Sequence, residues 1–198
     1  MPDDGATPLA DFDGLRSRQI RTRGQLAVAE AENVRKAVMR YLIAVPTRRA
    51  APFDFAWLLQ LHAEMFGDVW AWAGQIRDRP LSLGSEPAHI GEHLAQLCDD
   101  IHGREAVMPS LLEQAVLLHH RAVQIHPFRN GNGRWSRMLS NIWLRIHDCP
   151  LVEWPAEVGR ESPVRGDYLT CLRAADAHDM RPLLELHARF QPPPSSGR

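Results

Sequence analysis

The sequence predicts an all-α protein. Apolar residues recur at i, i+3, i+4, i+7 in seven separate stretches, only one short stretch looks extended, and 198 residues with 44% apolar content suit a single ordinary core. The first helix runs from about Gln25 to Ala44, with Val34, Ala37, Val38, Tyr41 and Leu42 in register, and stops before Pro46. Asp54 can cap a second helix that turns Trp57, Leu58, Leu61 and Met65 inward and ends at Gly67. Ile90, Leu94, Leu97 and Ile101 mark the third. Leu111, Ala115, Leu118, Ala122 and Ile125 mark the fourth, after Pro109, and Leu139, Ile142, Trp143 and Ile146 the fifth, before Pro150. Tyr168, Leu169, Leu172 and Ala175 mark the sixth, and Leu183, Leu186 and Phe190 a short seventh after Pro182. Between the second and third, Gln75–Ser85 holds Pro80 and Gly84 and is expected to form one small β-hairpin.

Residues 1–20 are expected to be a flexible leader, 21–53 an N-terminal helix, 54–191 the main domain, and 192–198 a Pro/Ser/Gly-rich tail. No secretory signal and no membrane span is legible, and Cys98, Cys149 and Cys171 are far apart, which points to reduced thiols in a cytoplasm. A net charge of -1 argues against general nucleic-acid or anionic-membrane binding. Lys36 is the only lysine, so a single arginine carries little information, and Arg16, Arg18, Arg21 and Arg23 are expected to be a solvated stretch.

One segment carries chemistry. His126-Pro-Phe-Arg-Asn-Gly-Asn-Gly-Arg-Trp-Ser-Arg137 joins the fourth helix to the fifth. Gly131 and Gly133 let backbone come close to a ligand, and a glycine-rich turn opening a helix aims free N–H groups at one point. Arg134 and Arg137, spaced i, i+3, share a side of the new helix. Two cations at a helix N-terminus oppose the dipole unless an anion such as a polyphosphate sits there. His126 is the group able to take a proton near neutral pH, and Asn130 can offer an oxygen to a metal ion. His119 and His120 are neighbours on a helix and face apart, so they are expected to be packed or hydrogen-bonded, with His62, rather than metal-ligating.

This segment resembles the signature of the Fic family, H-x-F-x-(D/E)-G-N-G-R-x-x-R. The run Leu118–His126, Trp72-Ala-Gly-Gln-Ile-Arg77 and Tyr168–Asp176 are also similar to that family, and the stretch from Thr22 to Asn33 resembles its subgroup called mobile mystery protein B. The resemblance implies a Fic fold, a helical bundle with a small β-hairpin flap, that transfers AMP from ATP, with Mg²⁺, to a protein hydroxyl. In that case His126 is the general base, Phe128 anchors the loop, Gly131, Asn132 and Gly133 form an anion hole for the α-phosphate, Arg134 holds the β-phosphate and Arg137 the γ-phosphate. The flap Gln75–Ser85 docks the target protein, and a homo-oligomer or an antitoxin-like partner is a further expectation. Asn130 departs from the acidic signature position, where the family's carboxylate helps hold Mg²⁺. That departure keeps two alternatives open: another phosphate transfer, such as phosphorylation, and a weakly catalytic module that binds a partner.

The family is often restrained by a helix bearing (S/T)-x-x-x-E-(G/N), whose Glu pairs with the second signature arginine. Val28-Ala-Glu-Ala-Glu32-Asn33 fits the Glu-Asn part, so Glu32 is expected to be the inhibitory residue, opposite Arg137, with Glu30 as the other candidate.

Overall fold

The computed structural model describes residues 13–105, 110–159 and 161–192. Seven α-helices are present among them: α1 (Arg23–Val38), α2 (Phe55–Phe66), α3 (Ile90–Glu105), α4 (Leu111–Ile125), α5 (Asn132–Ile146), α6 (Pro163–Asp176) and α7 (Arg181–Arg189). None is long and apolar enough to cross a membrane.

The helix boundaries follow local chemistry. Thr22 and Gln25 form a capping box, which starts α1 at Arg23. A π-helical turn, Met39–Ile43, closes it ahead of Pro46. Asp54 caps α2 through the Trp57 N–H at 2.8 Å, Ser110 caps α4, and Ser162 caps α6 with Pro163 in its first turn. The core gathers Tyr41, Phe53, Phe66, Phe128, Trp135 and Trp143, all essentially inaccessible, between α1, α2 and the central α4–α5 pair. A second cluster, with Val116, Tyr168, Leu172, Leu183 and Leu186, joins α6 and α7 to the other face of α4.

Two segments differ from the expectation. Gln75–Ser85 is an irregular loop rather than a hairpin. Its Arg77 N–H bonds the Pro127 carbonyl and its Ser85 N–H the Ile125 carbonyl, so both ends pair with the last residue of α4 and the chain that follows it rather than with each other. Pro80, at the middle, has no N–H to give. Of the expected leader, residues 1–12 lie outside the described residues. Residues 14–16, however, are pinned to the domain, with Ala71 N–H donating to the Gly14 carbonyl and Arg16 N–H to the Val69 carbonyl. The expected tail lies outside the described residues from residue 193 onward.

Candidate active site

The chain leaves α4 through His126 in the left-handed region, φ 50° and ψ 58°, a conformation that costs a non-glycine residue about 1 kcal/mol and must be held in place. Arg77 holds it. This arginine is 2% exposed and gives its N–H groups to the carbonyls of His126 (2.8 Å), Arg79 (2.8 Å) and Ser85. Gly84 closes the same contact. At φ +99° it lies so near that a Cβ there would come within 2.5 Å of His126 Cβ. The Nδ1 of His126 is buried, which leaves Nε2 to face the cavity. Burial lowers the His126 pKa below its ordinary value and the nearby Arg77 cation adds to this, while the Val123 carbonyl opposes it. The ring is therefore a neutral base at pH 7.

The following loop is a rigid cradle. The Asn132 side chain turns inward, accepting from Phe128 N–H at 2.9 Å and donating to the Phe128 carbonyl at 2.8 Å. Phe128 is wholly buried, with its ring stacked on His62 at 3.7 Å. His62 accepts the Gly74 N–H on Nδ1 and donates from Nε2 to the Asn130 carbonyl at 3.0 Å. Burial drives its pKa down to about 4, which fixes this neutral tautomer. Gly131, at φ +81°, leaves no room for a side chain: a Cβ would meet the Phe66 ring at 2.7 Å. α5 then begins at Asn132, so the N–H groups of its first turn open on the cavity beside Gly133.

That cavity, of about 1000 Å³, brings together the sequence-predicted set: His126, Asn130, Gly131, Asn132, Gly133, Arg134 and Arg137. Val123, Leu169 and Leu172 form an apolar wall, and His120 and Asp176, bonded to each other at 2.8 Å, lie on the same side. Arg134 lies 4.6 Å from the Phe66 ring centroid. Arg137 lies beside Tyr168, its guanidinium carbon 5.8 Å from the ring centroid, and burial pulls that guanidinium below the ordinary arginine pKa.

Glu32 is not in this site. Its side chain is exposed and pairs with Arg35 one turn on, at 2.8 Å. Glu30 is the glutamate that faces the cavity, 8% exposed. It accepts from Trp70 Nε1 at 2.7 Å and pairs with Arg134 Nη1 at 2.8 Å. The partner is thus Arg134, not Arg137. Two helical residues apart, Glu30 and Glu32 point some 200° from one another. Glu30 shares its face with the buried Asn33, Ala37 and Tyr41, and that stripe, followed back one turn from Asn33, was the signal that distinguishes the two glutamates.

The donor set does not fit a protein-held magnesium ion. Asn130 offers a neutral amide oxygen that already accepts the Gly131 N–H at 2.6 Å, and no cluster of three His, Cys, Asp or Glu is present among the described residues. His62 is packed and hydrogen-bonded, as the sequence predicts, but its place in the site, like that of Arg77, is not legible there, because both act through backbone groups that no side-chain pattern reveals.

Residues 52–144 match the Fic/DOC family model. The chain is 28% identical over 137 residues to the protein adenylyltransferase fic-1 of Caenorhabditis briggsae, covering 67% of this chain and 26% of that protein. A Fic-1 fragment from C. elegans superposes with a TM-score of 0.65 at 24% identity, covering 81% of this chain and 47% of the fragment. BepC of Bartonella tribocorum with bound AMPPNP does so with 0.64 at 20% identity, covering 92% of this chain and 98% of BepC. These superpositions establish a shared fold. The chain spans about a quarter of the length of the curated relative.

Proposed function

The chain carries a Fic/DOC domain over residues 52–144, and from that premise we propose that it transfers AMP from ATP to a hydroxyl side chain of a target protein. The observation that carries this reading is a neutral, buried-edge histidine facing the same cavity as a free helix N-terminus and two arginines. His126 Nε2 takes the proton of the target hydroxyl. The resulting oxygen attacks the α-phosphorus of ATP, the bond to the β-phosphate oxygen breaks, and pyrophosphate leaves. The amides at the start of α5 neutralise charge on the α-phosphate, and Arg134 and Arg137 receive the departing phosphates. The apolar wall of Val123, Leu169 and Leu172 suits the nucleobase. Relatives named adenylyltransferase and a neighbour that binds AMPPNP support ATP as the nucleotide. Magnesium would enter with ATP as the counter-ion of its phosphates.

The same reading includes a restraint. Glu30 occupies the Arg134 guanidinium that a phosphate needs, so ATP must displace a charge-assisted contact held by Trp70. The loop between Gln75 and Ser85, with Leu81 and Leu83 exposed and Leu83 at the edge of the cavity, docks the target segment.

ATP labelled at the α or at the γ position, in separate incubations, tests the reaction. Label on protein from the α position alone is the expected result. Label from γ means phosphorylation, and no label from either leaves a binding module.

A further inference from the structure

Three histidines near the site, His62, His119 and His187, are buried and take no part in the chemistry above. Two of them form a continuous chain with Tyr168 that runs from α7 through α4 and α6 to Arg137 on α5. His187 Nδ1 lies 2.8 Å from the Leu183 carbonyl, which can only accept, so that nitrogen carries the proton. Its Nε2 is then the acceptor for His119 Nδ1 at 2.8 Å. The other His119 nitrogen, now bare, faces the Tyr168 hydroxyl at 3.0 Å. The hydroxyl must donate to it, and its oxygen lone pairs are left for a cation; the Arg137 guanidinium carbon lies 5.8 Å from the centre of the Tyr168 ring. Both rings are 0% exposed and pack in a box with Trp154, the His119 and His187 centroids 4.9 Å apart. Burial supports the neutral forms, pushing His187 to about 4 and His119 well below the ordinary histidine value. The nearby Arg137 cation pushes His119 the same way.

We propose that His119 is a positioning residue for Arg137: the one-way chain from the Leu183 carbonyl through His187 and His119 fixes the Tyr168 hydroxyl as a donor inward, so that its oxygen holds the guanidinium at the phosphate end of the cavity. The inference rests on reading Arg137 as a phosphate ligand. The chain replaces a carboxylate, which would hold the arginine just as well but would neutralise it and repel phosphate. A phenol oxygen orients the cation and leaves its full charge for the ligand.

Three variants separate this from a packing role. His119→Asn keeps a donor toward His187 and loses the acceptor for Tyr168. His119→Gln keeps an acceptor toward Tyr168 and loses the His187 bond. Tyr168→Phe removes only the hydroxyl. Dissociation constants for ATP and for AMP, measured on each, should show the ATP preference falling about three- to ten-fold in His119→Asn and in Tyr168→Phe. His119→Gln should stay within about two-fold of wild type, and His119→Asn combined with Tyr168→Phe should be no worse than either alone. Equal losses in the Asn and Gln variants, or additive losses in the double variant, would overturn the proposal. Nitrogen-15 NMR of the ligand-free wild type gives an independent reading: His119 should carry its proton on Nδ1 from pH 5 to pH 8. A proton on Nε2, or a ring that titrates in that range, overturns it as well. Failure of the wild type to bind ATP would count against the nucleotide reading instead, and the ring spectrum then decides the inference by itself.

Discussion

At the scale of single residues, the site depends on which groups are charged and which are merely polar. His126 is buried enough to stay neutral below the usual histidine pKa. The acid limb of transfer should therefore fall below pH 6.5, and a pH profile of kcat/KM checks this; a limb at or above 6.5 would remove the burial argument. Asn130 presents an amide oxygen that is tied to the Gly131 N–H. Asn130→Asp supplies a carboxylate that is a far better ligand for a hard dication, so half-maximal transfer should need several-fold less Mg²⁺. Superimposable Mg²⁺ titrations of the two proteins would show that no metal approaches this residue. The signature residues were legible in the sequence because glycine, histidine and arginine at fixed spacing have few other uses. Choosing between Glu30 and Glu32 required the phase of α1. The Glu-Asn pair favoured Glu32, whereas the buried stripe through Asn33, Ala37 and Tyr41 turns Glu30 inward.

Among elements, the informative junction is the one between the loop after α2 and the end of α4. All seven helices were legible because each buries one stripe and carries its own stop signals. The Gln75–Ser85 segment was not, because its hydrogen bonds go to the chain at residues 125–127, a partner some fifty positions away that local alternation cannot report. Arg77 ties the two together through three carbonyls. Lysine in its place has one ammonium and cannot span the three. Arg77→Lys should slow transfer by about ten- to a hundred-fold through a misplaced His126, while ATP affinity, set at the other end of the cavity, stays within about two-fold. Single-turnover rates and nucleotide binding on the same sample separate these. A variant that loses ATP affinity and rate together would place Arg77 in general stability instead.

For the molecule as a whole, the buried histidines tie stability to pH. His62 and His187 titrate near 4 in the folded state and His119 well below 6.5, whereas all three take up protons near 6.5 when unfolded. Between about pH 6.5 and pH 4 the unfolded chain thus binds more protons, and stability falls as pH falls. Each histidine contributes a slope of about 1.4 kcal/mol per pH unit in that window. Urea unfolding at pH 7 and pH 5 should show a midpoint that drops clearly at pH 5; equal midpoints would mean that these rings are charged in the fold. Function is also a property of the whole, since α1 reaches across the domain to lay Glu30 on Arg134, the pair that couples the N-terminal helix to the cavity. Incorporation of α-labelled ATP, followed side by side in wild type, Glu30→Gly, Glu32→Gly and Glu30→Gly combined with His126→Ala, tests this account most directly. Releasing Arg134 from one charge-assisted contact should raise transfer by about ten- to a hundred-fold in Glu30→Gly. Glu32→Gly, which puts the same residue into the same helix, should match wild type, and the added His126→Ala should abolish the gain. Equal incorporation by the two glutamate variants, or label that persists without His126, would contradict it.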